Sequence, residues 1–155
     1  MSRITVGKKL PDFTAIASSG EPWRLKDTRG RKLVLFFYPK DMTSGCTIEA
    51  QDFRDQQAAF SRAKTQVVGV SRDSCSSHVK FRDKEKLGFE LLSDTDQALC
   101  TLFDVIKEKN MYGKKVMGIE RSTFLIDAEG VLMREWRKVK VEGHAATVLE
   151  AATAL

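Results

Sequence analysis

The chain has 155 residues, of which 42% are hydrophobic and 30% charged, a balance typical of one globular domain with its own core, here residues 1–155. No apolar run approaches the ~20 residues of a membrane-spanning helix, and the N-terminus lacks a secretory h-region, so we expect a cytoplasmic protein without membrane contact. The net charge of +5 would suit a nucleic-acid partner, but acidic and basic residues are interleaved, which favours a solvated surface and no nucleic acid.

The first half of the chain predicts a hairpin followed by two buried strands and two helices. The segment FTAIASSGEPWRL reads as a strand, a turn and a second strand. The apolar run Leu33–Tyr38 does not alternate, which is typical of a strand covered on both faces, and Gln66–Ser71 is a second such strand. Apolar residues at steps of three and four predict a helix from about Cys46 to Phe60, and a charged helix spans roughly Ser76 to Leu87.

The second half predicts further strands and helices in alternation. A short strand, FELL, precedes a helix that begins near Asp94 and whose inner face holds Ala98, Leu99, Leu102, Phe103 and Ile106. STFLID and VLMREW form a hairpin, and a final helix carries Ala145, Val148, Leu149, Ala152 and Leu155. This order predicts an α/β protein with a central mixed β-sheet flanked by helices and an N-terminal β-hairpin, which matches a thioredoxin-like fold.

A single cysteine, Cys46, follows the first buried strand in the stretch YPKDMTSGCTIE. We expect Thr43 to be the N-cap of the next helix, with its hydroxyl pointing at the amide of Cys46 in the third helical position. Unpaired N–H groups and the helix dipole would stabilise a thiolate there. Pro39 stiffens the entry and Gly45 leaves room for a small reactant. The competing interpretation is a small apolar residue on a buried helix face.

Two segments resemble a known family. PKDMTSGC fits the P-x-x-x-T/S-x-x-C signature of the peroxiredoxins through Pro39, Thr43 and Cys46. GIERSTFLID resembles the segment that carries their active-site arginine, here Arg121. FYPKDMTSGCTIEAQDFRD, GVSRDS and LLSD look most like the Q-type subfamily, also called bacterioferritin comigratory proteins, and the resemblance covers nearly the whole chain.

The resemblance implies a thiol-dependent peroxidase that reduces hydrogen peroxide and organic hydroperoxides. The Cys46 thiolate would attack the peroxide and become a sulfenic acid, with Arg121, Thr43 and the backbone N–H of Cys46 stabilising the developing charge and Pro39 shielding the site. The chemistry requires no cofactor and no metal. A thiol reductant, namely thioredoxin, glutaredoxin or glutathione, would recycle the enzyme, and we expect a monomer.

The resolving cysteine is the open question. Many Q-type proteins carry it five residues after the first cysteine, where this chain has Gln51. Cys75, at the start of the next helix, is the remaining candidate near the site. Cys100 ranks below it, because we place this thiol off the apolar stripe of its helix, towards a flank. A 1-Cys enzyme without an internal resolver ranks first among the three alternatives, ahead of Cys75 and Cys100.

Three further side chains have two interpretations each. Glu49, one turn after Cys46, either orients Arg121 or is an ordinary carboxylate near a helix N-terminus. His78 and His144 lack a partner motif, and we interpret both as solvated or structural.

Two other functions remain as alternatives. A thioredoxin-like disulfide oxidoreductase would need a second cysteine where TSGC has Thr43, and a proline that ERSTFL lacks. A non-catalytic basic binding module on the same fold would have no use for the combination of Thr43, Cys46 and Arg121.

Overall fold

The computed structural model describes residues 4–155. Its strands are β1 (Thr14–Ala17), β2 (Pro22–Arg24), β3 (Lys32–Phe37), β4 (Thr65–Ser71), β5 (Glu90–Ser93), β6 (Ile106–Met111), β7 (Lys114–Ile119), β8 (Ser122–Ile126) and β9 (Leu132–Trp136). Its helices are α1 (Ser44–Asp55), α2 (Gln57–Arg62), α3 (Cys75–Glu85), α4 (Ala98–Leu102) and α5 (His144–Thr153), and a short 3-10 helix spans Leu25–Thr28.

A seven-stranded mixed sheet forms the centre of the molecule, in the order β2-β1-β5-β4-β3-β8-β9. Strand β3 pairs parallel with β4 and antiparallel with β8, and β4 pairs parallel with β5. Strands β1 and β2 form the N-terminal hairpin. The predicted thioredoxin-like arrangement is therefore confirmed.

The central strand β3 is buried on both faces, as its unbroken apolar sequence predicts. Side chains alternate along a strand, so Leu33, Leu35 and Phe37 pack into one core cluster. The residues between them on the opposite face of the strand, Val34 and Phe36, pack into the other cluster together with residues of helices α1 and α5. The strand is thereby fixed between two apolar layers, and its end is a rigid support for the loop that follows.

The topology brings two helix N-termini to one edge of the sheet. Helix α1 follows the carboxyl end of β3, and α3 follows the carboxyl end of the neighbouring parallel strand β4. In sheets of this kind, ligands bind outside the carboxyl ends of parallel strands. Cys46 lies in the first turn of α1 and Cys75 is the first residue of α3.

Two predicted helices differ from the structure. The helix predicted from Cys46 to Phe60 is divided into α1 and α2 at Gln56, whose backbone angles of φ −98° and ψ 3° depart from helical geometry. The helix predicted from near Asp94 is shorter, because Asp104 has a left-handed φ of 55° and ends it. Ile106 begins β6, and β6 pairs with β7 in a separate two-stranded sheet that the prediction missed. Apolar spacing of three and four cannot distinguish a longer helix from a short helix followed by a strand.

Across residues 4–155, none of the helices combines the length and the apolar character that crossing a membrane requires.

Candidate active site

Cys46 occupies the third position of helix α1, as predicted, with Thr43 as the N-cap residue. The cysteine side chain is only 2% exposed and packs in the same apolar cluster as Tyr38, Ala50 and Phe53. Both interpretations of its position thus apply together: the thiol belongs to a buried helix face and also lies among the N–H groups of a first turn.

The predicted orientation of the Thr43 hydroxyl is wrong. Its Oγ1 donates to the carbonyl oxygen of Lys40 at 2.8 Å, and within the described chain it makes no capping bond to the first turn of α1. The tight loop between Pro39 and Thr43 brings the Lys40 carbonyl closer than the helix amides. Thr43 is exposed and Pro39 is half-buried.

Arg121 connects the loop before β8 to helix α1. Its Nη2 donates to Sγ of Cys46 at 3.4 Å, and its Nη1 donates to Oε1 of Glu49 at 2.6 Å. Burial opposes the positive charge of the guanidinium, but Glu49 and Cys46 hold the pKa of Arg121 above its usual value. A permanent positive charge therefore lies against the sulfur of Cys46.

Glu49 is a partner of Arg121 and not merely a carboxylate near a helix N-terminus. Its side chain is 1% exposed, and burial raises its pKa to about 7, although the charge of Arg121 acts in the opposite direction. Its second oxygen, Oε2, has no hydrogen-bond partner among the described residues. The pair of Glu49 and Arg121 is thus a buried contact whose charge changes near neutral pH.

The space that Gly45 leaves is next to the guanidinium of Arg121, whereas the sequence predicted room for a small reactant. A β-carbon on Gly45 would lie 3.3 Å from Nη2 of Arg121, closer than carbon atoms in proteins usually approach such a group. The glycine therefore lets the guanidinium reach Cys46 across the first turn of α1.

The other two thiols differ in environment. All three cysteines are free. Cys75 is half-buried, and its Sγ donates to the carbonyl of Ala17 at 3.5 Å. Cys100 is fully buried in the core, so its predicted place towards a flank of the helix is wrong. The exposed residues of α4 are Ala98, which was predicted to face inward, and Thr101, so the inner face of the helix is rotated towards Leu99 and Cys100. Burial, followed by a hydrogen bond and charge repulsion from Asp94, raises the pKa of Cys100 strongly.

Both histidines are buried, so the structural interpretation is confirmed and the solvated one is wrong. His144 Nε2 lies 2.8 Å from Oγ1 of Thr123, and burial together with the charge of Arg121 lowers its pKa to about 4. His78 contacts Asp41 at 2.8 Å and the carbonyl of Leu92 at 2.9 Å. No spacing pattern in the sequence connects His78 with Asp41, because 37 residues separate them.

One group of side chains has the composition of a metal site. Asp41, Asp73 and His78 place potential ligand atoms within 4.8 Å of one another. These atoms already hydrogen-bond to each other and to neighbouring residues, so an ion would have to displace those bonds.

Comparisons with known proteins identify the family of the chain. The model of the AhpC/TSA family matches residues 6–134. Peroxiredoxin Bcp of Bacillus subtilis is 51% identical over 147 residues, 95% of this chain and 94% of the relative. Peroxiredoxin Bcp of Xanthomonas campestris is 53% identical over 140 residues, 90% of this chain and 88% of the relative.

Solved structures give the same result. A structure of Xanthomonas campestris peroxiredoxin Q is 52% identical, has a TM-score of 0.87, and covers 92% of this chain and 90% of its own. A mutant of Xylella fastidiosa PrxQ is 42% identical, with a TM-score of 0.93 and coverage of 99% and 98%. The chain therefore belongs to the AhpC/TSA family, among the peroxiredoxins called Bcp or peroxiredoxin Q.

Proposed function

We propose that Cys46 is the peroxidatic cysteine of this thiol-dependent peroxidase and that Arg121, Thr43 and Pro39 complete its site. The observation that carries the proposal is the 3.4 Å contact between Nη2 of Arg121 and Sγ of Cys46 in the first turn of α1. The substrates are hydrogen peroxide and organic hydroperoxides. A structure of the Xanthomonas campestris bacterioferritin comigratory protein, 51% identical to this chain, belongs to work on that protein's alkyl peroxide reduction activity.

The proposed reaction transfers one oxygen atom to sulfur. The Cys46 thiolate attacks the distal oxygen of the hydroperoxide, an S–O bond forms and the O–O bond breaks. Sulfur is oxidised by two electrons to the sulfenic acid, and the leaving oxygen takes a proton to become water or an alcohol. Arg121 stabilises the negative charge that spreads over both oxygens in the transition state.

The contact of Thr43 with Lys40 suggests how the peroxide is held. The Thr43 hydroxyl uses its proton in the bond to the Lys40 carbonyl, so its oxygen remains able to accept. We therefore assign Thr43 the role of accepting a hydrogen bond from the peroxide O–H, while the amide of Cys46 and Arg121 donate to the peroxide oxygens. Pro39, half-buried at the start of the same loop, limits access of water.

We further infer that an external thiol resolves the sulfenic acid, in a monomeric enzyme of the cytoplasm. Gln51 donates to Oε1 of Glu85 at 2.7 Å, and Arg54 donates to the Glu85 carbonyl at 2.7 Å, so α1 is tied to the end of α3. These contacts oppose unwinding of α1 towards an internal partner. A donor such as glutathione with glutaredoxin, or thioredoxin, would form a mixed disulfide and release water, and a second thiol would then free Cys46. Free thiols suit the reducing cytoplasm.

Mass spectrometry after one equivalent of peroxide tests both parts of the proposal. The wild type should gain one oxygen on Cys46, which dimedone traps, and Cys46→Ser should lose all peroxidase turnover. Cys75→Ser and Cys100→Ser are matched controls that should retain near-normal turnover with a thiol donor. Turnover in Cys46→Ser would exclude the assignment of Cys46. A rapid, stoichiometric Cys46–Cys75 disulfide, with turnover lost in Cys75→Ser, would instead make Cys75 the resolving cysteine.

A further inference from the structure

A buried carboxylate lies in the loop between β3 and α1 and makes hydrogen bonds through both oxygens. Oδ1 of Asp41 accepts from the Tyr38 hydroxyl at 2.6 Å, and Oδ2 accepts from the Ser77 hydroxyl at 2.7 Å. Nδ1 of His78 lies 2.8 Å from the same Oδ2. The side chains of Asp41 and His78 are 2% and 0% exposed, so this pair is screened from solvent. Removing one partner of such a pair leaves the other buried and uncompensated.

The acceptor that faces Nε2 of His78 determines whether this ring nitrogen carries a proton. Nε2 of His78 faces the Leu92 carbonyl at 2.9 Å, and a carbonyl can only accept, so Nε2 carries a proton. Nδ1 lies against Oδ2 of Asp41, so the ring joins the carboxylate directly to the Leu92 carbonyl. Burial opposes a charged Asp41, but the hydrogen bonds from His78 and Tyr38 hold the pKa of Asp41 below its usual value. The network is therefore a fixed buried pair with defined donors.

The pair joins two segments that the fold brings to the same edge of the sheet. Asp41 belongs to the loop that carries Pro39 and Thr43, whereas Ser77 and His78 belong to the first turn of α3. The amide of Asp41 adds a further bond, donating to Oδ2 of Asp73 at 2.9 Å.

The loop also contains an unfavourable backbone conformation. Met42 has a φ of 65°, in the left-handed region that residues other than glycine rarely adopt. Such a conformation costs about 1 kcal/mol or more and persists where the surroundings hold it in place. Asp41, immediately before Met42, makes those contacts, and Thr43, immediately after it, is the N-cap of the helix that carries Cys46.

We propose that Asp41 and His78 are positioning residues for peroxide reduction, because their buried pair fixes loop 39–43 against α3 and thereby places Pro39 and Thr43 over Cys46. The proposal rests on the proposed function, since it concerns the same reaction. Without the pair, Met42 can relax and the peroxide-binding groups move away from the sulfur. Displacements on the scale of an ångström cost such reactions about 10- to 100-fold in rate.

The test compares Asp41→Asn, His78→Gln and the double variant with the wild type. Asp83→Asn is the matched control, since Asp83 is an exposed carboxylate on the same helix α3. Stopped-flow oxidation of Cys46 by hydrogen peroxide should slow about 10- to 100-fold in each single variant. Alkylation of Cys46 by iodoacetamide needs the thiolate but no oriented O–O bond, so it should change less than about threefold. The double variant should be no slower than the slower single variant, because both changes break the same pair.

Hydrogen exchange of loop 39–43 provides a readout that does not depend on peroxidase activity. Exchange there should accelerate in Asp41→Asn and His78→Gln and remain unchanged in Asp83→Asn. Peroxide oxidation at the wild-type rate in the variants, or oxidation and alkylation slowed equally, would overturn the proposal. If the wild type itself did not reduce peroxide, the proposed function would fail. Hydrogen exchange of loop 39–43 that stayed unchanged in Asp41→Asn and His78→Gln would separately disprove that the Asp41–His78 pair fixes this loop. Should both single variants fail to fold, Ser77→Ala, which removes one bond, should slow oxidation about threefold, and no slowing would overturn the proposal.

Discussion

The Nη2 atom of Arg121 lies 3.3 Å from the position that a β-carbon on Gly45 would occupy. Gly45→Ala should therefore have opposite effects on stability and on activity. Alanine favours a helix over glycine by up to about 1 kcal/mol, so the free energy of unfolding should stay constant or rise. The added methyl group should push the guanidinium away from Cys46 and slow peroxide oxidation several-fold. Urea unfolding and stopped-flow kinetics measure the two effects.

Ser44→Ala is the control for that experiment, because it adds helix preference one residue earlier without a new β-carbon beside Arg121. An unchanged oxidation rate in Gly45→Ala would mean that Arg121 does not need the space above this glycine.

Loss of the Arg121 guanidinium should slow the peroxide step without unfolding the protein. Arg121→Ala removes the positive charge beside Cys46 and should reduce the rate of oxidation by about 100-fold or more. Arg121→Lys should be intermediate, since one ammonium group cannot reproduce the forked contacts with Cys46 and Glu49. Arg62→Ala, at an exposed position, is the control. Oxidation of Arg121→Ala at the wild-type rate would show that the assignment of this residue is wrong.

The buried Glu49 should make stability depend on pH. Its pKa is about 7 in the folded protein and near 4.5 when unfolded, so between these values the folded chain holds a proton that the unfolded chain has lost. The contribution of Glu49 to the free energy of unfolding therefore falls as pH rises through this window, by on the order of 3 kcal/mol. Glu49→Gln lacks this titration, and the wild type should lose stability relative to it between pH 4.5 and 7.

Urea unfolding of both proteins at several pH values measures that difference. Glu129→Gln, at an exposed site, should show none. A constant difference between wild type and Glu49→Gln across the window would contradict the raised pKa.

Cys100 should be inert in the folded protein. Burial and Asp94 raise its pKa, so it stays a thiol, and no reagent reaches it while the core is closed. Iodoacetamide should label the half-buried Cys75 within the native protein but label Cys100 only after unfolding in urea. Peptide mass spectrometry would detect labelling of Cys100 under native conditions, which would argue for opening of α4.

Local patterns predicted the parts of the fold that depend on burial and helix starts. The apolar run of β3 and the N-cap at Thr43 were both readable, and together they placed Cys46 at the carboxyl edge of the sheet. The β6–β7 hairpin was not readable, because its strands pair with each other outside the main sheet and lack an apolar face that alternates clearly.

The site was predictable only where a motif or one helical turn connects its members. Glu49 is three residues after Cys46, so its approach to Arg121 could be anticipated. The contact of the Thr43 hydroxyl with Lys40 depends on the turn geometry of the loop, which the motif does not specify. The Asp41–His78 pair arises from the adjacency of two parallel strands, and no local pattern encodes that distance.

The bond between Gln51 and Glu85 affects the kinetic order of the cycle. An internal resolving cysteine reacts at a rate independent of concentration, with effective molarities far above any cellular thiol. Resolution by an external thiol, as proposed, makes the second half-reaction bimolecular. Turnover would then rise in proportion to the reductant until peroxide becomes limiting, and the fraction of protein held as sulfenic acid would follow the ratio of the two supplies. The fraction of the protein held as sulfenic acid would thus report how much reducing thiol is available.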